Sequence, residues 1–300
     1  MHVLSRRSFL AGSALSLGGW VLLPAIGRAT ENNDPNRFVL MADTHVCGDL
    51  MVSARGCNPA ETIQQAVKDI LKLEPRPSAV IVAGDCAYDH GEKQDYEALQ
   101  GFLQPLRQQG IRLLFAMGNH DNRQRFQEVF PDAAILSGSP LEDREAALIE
   151  TPYANWYLLD SLKKTSYTPG HFGEEQLAWL TTSLDKAPSK PALFVAHHYP
   201  RTTDDDNGLE DTEAFFKLLQ SRKQASAYFF GHSHVWSLKQ GPEGLHLINI
   251  PANAWLFDEK QPRGFVDARL REDGCDLTLH CLDRNDNHHG EKHTLQWRGV

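Results

Sequence analysis

The chain lacks a basic excess: among 300 residues, 30 Lys and Arg stand against 39 Asp and Glu, a formal charge of -9. A protein that tracks a phosphate backbone releases counterions through a basic face, so a nucleic-acid-binding surface is not expected. Cysteine is sparse, with five residues at Cys47, Cys57, Cys86, Cys275 and Cys281. No two have the C-x-x-C spacing, so neither a zinc knuckle nor a thioredoxin-type site is suggested. Repeats and low-complexity tracts are absent, as are long apolar runs after the N-terminal segment. These absences exclude collagen-like, coiled-coil, disordered and multi-span membrane chains. What remains, 41% hydrophobic and 23% charged, is an ordinary globular composition with enough residues for a sizeable core. One residue type is plentiful: there are 14 histidines, and histidine is the commonest metal ligand.

The N-terminus has the layout of a signal peptide. Ser5-Arg6-Arg7-Ser8-Phe9-Leu10 is followed by an apolar stretch softened by Gly, Ala and Ser, then by Gly27-Arg28-Ala29 as a small-residue cleavage site. Its S-R-R-x-F-L core resembles a twin-arginine export signal. The stretch from Phe9 to Ile26 approaches the ~18 residues a spanning helix needs, but its glycines, serines and Pro24 weigh against a retained anchor. The expectation is a signal over residues 1–29 and one domain over 30–300. The partner would be the twin-arginine machinery, the location periplasmic or secreted, and the mature form without a stable membrane span. Three arginines and no acid leave with the signal, taking the formal charge from -9 to -12. In an oxidising compartment the cysteines could pair, with at least one of the five left free. Cys275 and Cys281 sit too far apart on one expected strand to reach within the ~7 Å a disulfide allows. The cysteines are read as structural or incidental.

Along the rest of the chain, short apolar runs alternate with amphipathic ones. Strands are expected at Phe38–Ala42, Ala79–Ala83, Ile111–Met117, Trp156–Leu159, Ala192–Ala196 and Tyr228–Phe230. Helices are expected from Asn58-Pro59 to Leu73, around Tyr96, Leu99 and Leu103, and over Glu174–Leu184 and Thr212–Leu219. From Leu245 on, the runs Leu245–Ile250, Gly264–Leu270, Cys275–Leu282 and Thr294–Trp297 follow one another without helices. Alternation implies a crossover-connected sheet, and the trailing strands suggest a second sheet packed on it. His288-His289 reads as solvated loop. The segments Phe130 to Tyr153, holding Arg144 among acids, and Thr203 to Gly208 read as rim loops, and Trp255 and Phe257 as core rather than pocket wall.

The expected strands end in polar clusters: Asp43-Thr44-His45, Gly84-Asp85, Gly118-Asn119-His120-Asp121, His197-His198 and Gly231-His232-Ser233-His234. In open α/β sheets the ligand crevice lies outside the carboxyl ends of the strands, so the five clusters converge on one edge. Their mixed nitrogen and oxygen donors suffice for two borderline divalent or trivalent metals, with Asp85 central enough to bridge them. Taken singly each cluster also reads as a cap or turn, since Gly and Asp are turn residues. The ordered set makes that reading poor.

The order D-x-H, G-D, G-N-H-D, H, G-H-x-H resembles the calcineurin-like metallophosphoesterases from about Phe38 to about Trp236, and the strands over 245–298 fit the family's second sheet. The resemblance implies an α/β fold, a four-layer αββα sandwich of two mixed sheets flanked by helices. It implies Asp43, His45, Asp85 and His234 around one metal, and Asp85, Asn119, His197 and His232 around the other, the ions being Fe, Mn or Zn. His197 is preferred to His198 because it lies nearer the strand, leaving His198 to face substrate or solvent. His120 would protonate the leaving oxygen, with Asp121 behind it fixing its orientation and charge. The implied activity is hydrolysis of small phosphodi- or monoesters by in-line attack of a metal-bound hydroxide.

Asn119-His120-Asp121-Asn122-Arg123 is similar to the G-N-H-D-x-R of class III cyclic-nucleotide and glycerophosphodiester phosphodiesterases. Arg123 is thereby either a substrate-phosphate contact or an ordinary first-turn helix residue. Gly84-Asp85-Cys86-Ala87-Tyr88 also fits the G-D-x-x-Y of purple acid phosphatases, whose tyrosine binds ferric iron. Those enzymes have Gly where this chain has His45, so His45 is read as ligand and Tyr88 as a residue behind the ligands. Two other readings stand beside these. One is a metal-binding scaffold without turnover, against which intact His120 and the full ligand set argue. The other is a serine hydrolase built on Ser233, which lacks a G-x-S-x-G elbow.

Overall fold

Apolar runs at the head of the chain form parallel strands. β1 (Asn33–Met41), β2 (Arg76–Ala83) and β3 (Arg112–Ala116) lie side by side, connected by α1 (Pro59–Ile70) and α2 (Lys93–Gln108). The structure, a computed structural model, describes residues 33–132, 141 and 143–298, so the expected signal over 1–29 lies outside the described residues. Asn58 and Pro59 start α1 as their types suggest. The Asn58 side chain accepts from the backbone N–H groups of Ala60 at 2.8 Å and Glu61 at 3.3 Å, and Pro59 needs no N–H partner. After β3 come α3 (Arg123–Val129), β4 (Ala147–Glu150), β5 (Asn155–Leu158), α4 (Glu174–Asp185), β6 (Ala192–Val195), α5 (Thr212–Gln220) and β7 (Ala225–Phe230). The chain closes with β8 (Ser237–Gln240), β9 (His246–Asn249), β10 (Gly264–Leu270), β11 (Gly274–Cys281) and β12 (Lys292–Gln296).

These strands make two six-stranded sheets, ordered β12-β11-β10-β1-β2-β3 and β4-β5-β6-β7-β9-β8. The period of two along each strand builds the layers. On β1, Phe38 and Leu40 point between the sheets to meet Trp156, Val195, Phe229 and Val266. Val39 and Met41 point the other way, against Ile63 and Val67 of α1 and Tyr96 and Leu103 of α2. On the far side, Tyr157, Phe194 and Tyr228 of the second sheet bury Leu180 and Leu184 of α4 and Phe215 of α5. Each sheet is therefore apolar on both faces, and the result is the four-layer αββα sandwich.

The trailing strands are placed differently from the expectation. They do not form a sheet of their own: β10 pairs antiparallel with β1, Phe38 opposite Ala268, and β11 and β12 extend from it. The last three strands thus cover the edge that β1 would otherwise leave open. The run Leu245–Ile250 separates from them, since β9 pairs parallel with β7 in the other sheet. Two strands went unforeseen, β4 inside the stretch read as a rim loop and the polar β8. Both are four-residue edge strands with one neighbour each; β4 is a short apolar run within that stretch, and β8 has little apolar pattern to betray it. All five cysteines are free. Among the described residues, no helix is long and apolar enough to cross a membrane.

Candidate metal centre

Because β1, β2 and β3 run parallel, as do β6, β7 and β9, all carry their carboxyl ends to the same edge of the sandwich. The backbone must then turn sharply to aim side chains into the crevice between the sheets. Asp43, His45, Asp85, His232 and His234 all do so in the left-handed region, with φ of 54°, 43°, 48°, 70° and 55°. That conformation is disfavoured for residues with a side chain and concentrates at functional sites. Two motif glycines are explained by close approach. A Cβ on Gly118 would lie 2.2 Å from Asp85 Oδ1, and one on Gly231 would lie 2.5 Å from Asp43 Oδ2.

The sequence-expected donors assemble as two overlapping triplets, Asp43–His45–His234 and Asp43–Asp85–His197. Asp85 Oδ2 lies between the two halves, 3.7 Å from His45 Nε2 and 3.1 Å from His197 Nε2. Ring nitrogens crowd together, His45 Nε2 and His234 Nε2 at 3.3 Å and His197 Nε2 and His232 Nδ1 at 3.1 Å. The opposite nitrogens are occupied by carbonyls. His45 Nδ1 donates to Tyr88 O at 3.1 Å, His197 Nδ1 to Ala83 O at 2.9 Å and His234 Nδ1 to Trp255 O at 2.6 Å. A neutral imidazole with one N–H so held presents the lone pair of its other nitrogen inward, as metal-ligating histidines do. Asn119 Oδ1 is buried there without a hydrogen-bond partner. Converging lone pairs and an orphaned carbonyl oxygen fit a pair of cations.

Charge follows the same geometry. Burial would raise the Asp43 and Asp85 carboxyls, yet His234 beside Asp43 and His197 beside Asp85 hold both below the ordinary carboxylate value. Burial would lower His197, but Asp85 lifts it to about 9. For His45, at about 3, and His232, at about 4, burial prevails.

His197 and His198 part company. Both ring nitrogens of His198 are engaged, Nδ1 with the Ser161 hydroxyl at 2.8 Å and Nε2 with Thr168 O at 2.8 Å, and the residue is fully buried. Although His198 stands near His197 and His232, it has no free lone pair to offer and does not face substrate or solvent, which corrects the expectation. Of the two readings of Arg123, the structure favours the second over the substrate-phosphate contact. Arg123 forms a fork to the buried Asp160 carboxylate at 2.6 and 2.9 Å and also reaches Leu162 O, so it serves as a first-turn residue of α3 tied to the next loop.

Asp121 does not orient His120. Its carboxylate accepts from the backbone N–H groups of Gly118 at 2.9 Å and of Cys86 and Ala87 at 3.1 Å, and from the Tyr96 hydroxyl at 3.2 Å. It staples two motif loops together, and burial with the nearby Asp85 charge pushes it up to about 6. His120 is held by Asp89 instead, its Nδ1 lying 2.7 Å from the Asp89 carbonyl and 3.2 Å from its carboxylate. Tyr88 touches the candidate donors only through its carbonyl, on His45; its ring packs edge-on against Trp255 at 5.5 Å.

A pocket of about 450 Å³ opens over this cluster, lined by Asp85, Asn119, His120, His232 and His234. Phe257, read from sequence as core, is 58% exposed and stands in its wall beside His234, and Trp255 stacks on His45 with ring centres 4.1 Å apart. Sequence reasoning missed Asp89, which lies in a turn beyond the Gly-Asp cluster and carries no spacing signal.

The sequence matches the calcineurin-like phosphoesterase family over residues 36–236. A probable cyclic nucleotide phosphodiesterase of Rhodopseudomonas palustris is 33% identical over 212 residues, spanning 66% of this chain and 71% of its own. The 3',5'-cyclic adenosine monophosphate phosphodiesterase CpdA of Pseudomonas aeruginosa is 26% identical, over 79% of this chain and 86% of its own. Among solved structures, a dimetal phosphatase from Danio rerio superimposes with a TM-score of 0.68 at 19% identity, covering 88% of this chain and 100% of that one. With the match running through every candidate donor from Asp43 to His234, the chain belongs to the calcineurin-like phosphoesterase family and is a metal-dependent phosphoester hydrolase.

Proposed function

We propose that the protein is an exported phosphodiesterase acting on cyclic nucleotides. Asp43, His45, Asp85 and His234 would hold one ion, and Asp85, Asn119, His197 and His232 the other. The single observation that carries the metal reading is the inward row of imidazole nitrogens on His45, His197 and His234, each with its opposite nitrogen held by a backbone carbonyl, together with the orphaned Asn119 oxygen. Two bound cations would offset the charge of a phosphate group in an otherwise acidic protein and supply the Lewis acidity that activates water. The chain's own contribution to bond cleavage is His120. With Nδ1 tied to Asp89, its Nε2 is turned toward Asp85 Oδ2, 4.0 Å away, at the edge of the pocket. A protonated His120 there can donate to the departing ester oxygen, which in a cyclic diester is a poor leaving group that needs the proton. The names borne by the relatives favour cyclic nucleotides over monoesters. The export half of the reading rests on the twin-arginine pattern at Arg6 and Arg7.

The test is metal analysis of the purified protein followed by a panel of 3',5'-cyclic nucleotides and the corresponding 5'-monophosphates with Fe, Mn or Zn restored. Hydrolysis of the cyclic esters with release of the monophosphate is the expected result. Release of inorganic phosphate from the monophosphates, with the cyclic esters untouched, would replace it with a phosphomonoesterase.

A further inference from the structure

Trp255 meets the candidate metal centre twice. Its indole stacks on the imidazole of His45, with ring centres 4.1 Å apart and planes 26° apart, and its backbone carbonyl accepts from His234 Nδ1 at 2.6 Å. These are the two histidines whose Nε2 atoms approach to 3.3 Å. The two contacts restrain different motions. A carbonyl at Nδ1 fixes an imidazole at one point and leaves it free to tilt about that bond, whereas a ring packed on its face blocks the tilt. His45 has both kinds of support, Tyr88 O at its edge and the indole on its face.

The connection between β9 and β10 that carries Trp255 is laid against the end of β1. The Asn253 N–H donates to Ala42 O and the Ala254 N–H to Asp43 O, each at 3.0 Å. This strap therefore reaches Asp43 through its backbone, His45 through the indole and His234 through the Trp255 carbonyl, three of the four donors assigned to one ion. The ring neighbours of Trp255 are His45, His234 and Tyr88. On the other half of the centre, the aromatic neighbour of His232 outside the histidines is Tyr199, 5.4 Å away.

We propose that Trp255 is a positioning residue for the metal centre. Its indole holds His45 in ligand orientation, so that the ion among Asp43, His45, Asp85 and His234 owes part of its affinity to this ring and the other ion does not. The inference rests on the ligand assignment proposed above. Residues that orient a metal ligand from behind are typically worth ~10–100-fold in metal affinity.

Mn(II) and Zn(II) are the probes, titrated calorimetrically into the metal-free protein so that the dissociation constants of the two ions are read separately. Trp255→Ala deletes the ring and leaves the carbonyl. It is expected to weaken one ion by about tenfold and to leave the other within about twofold. Trp255→Phe, which restores a flat face against His45, should recover most of the loss, as a purely volumetric role would not require. In an Asn119→Ala background, which lacks a donor to the second ion only, the loss on adding Trp255→Ala should persist and so identify the affected ion. Trp255→Leu, which removes the aromatic face at smaller cost in volume, is the second variant should Trp255→Ala not fold. Equal weakening of both ions, unaltered constants, or no recovery in Trp255→Phe would overturn the inference while the ligand assignment stands. Wild-type protein that takes up neither Mn(II) nor Zn(II) would overturn both.

Discussion

The Asp89 carbonyl oxygen lies 2.7 Å from His120 Nδ1, and the Asp89 carboxylate 3.2 Å from the same atom. One residue thereby determines which imidazole nitrogen faces the pocket. His120→Ala is expected to lower kcat by about 10²- to 10⁴-fold for esters with poor leaving groups and by much less for p-nitrophenyl esters. Asp89→Ala should do the same to a smaller degree, since the carbonyl remains. Equal losses on both kinds of ester, with metal content unchanged, would remove His120 from the acid role.

Asp85 Oδ2 is the oxygen that both halves of the cluster approach. Asp85→Ala is expected to bring the metal stoichiometry of the purified protein from two to one or fewer. A variant that retains two ions by elemental analysis would contradict the bridging position.

Metal removal should be legible in stability as well as in activity. Five side-chain-bearing residues of the cluster adopt positive φ, and buried carboxylates and imidazoles are crowded there. Ions that bind only the folded chain add about 2.7 kcal/mol at a hundredfold excess over Kd. Thermal melts with and without chelator should differ by several degrees, and superimposable melts would argue against tight binding.

Arg123→Ala is expected to lower stability by about 3 kcal/mol, because it strands the buried Asp160 carboxylate. KM should stay within about twofold, an effect below 0.5 kcal/mol. A rise in KM with unchanged melting would restore the phosphate-contact role that the ion pair speaks against.

The export reading has its own check. Arg6→Lys together with Arg7→Lys should retain the protein inside the cell, as followed by fractionation. Unimpeded export of that variant would refute a twin-arginine signal.

Much of the centre was legible because its chemistry is local. A short polar cluster after an apolar strand places its own donor, whatever the rest of the fold does, and Asp43, His45, Asp85, Asn119, His197, His232 and His234 all stand where strand ends converge. The misreadings share one physical cause, partners distant in sequence. Asp160 claims Arg123 across 37 residues, Ser161 claims His198 across the same span, and Asp89 reaches His120 across 31. The sheet to which β10–β12 belong was illegible for the same reason: periodicity states that a run is a strand but not which edge it will cover. Short polar edge strands such as β8 emit almost no signal at all.

The cluster draws Asp43, His45, Asp85 and Asn119 from one sheet and His197, His232 and His234 from the other. Ligand bonds tolerate only about 0.2 Å, far less than one sheet can slide over another when its core is thinned. The centre is therefore a gauge of inter-sheet register. A truncation such as Trp156→Ala, deep between the layers and touching none of the donors, should loosen that alignment and be felt first as weaker metal retention, before the fold itself gives way.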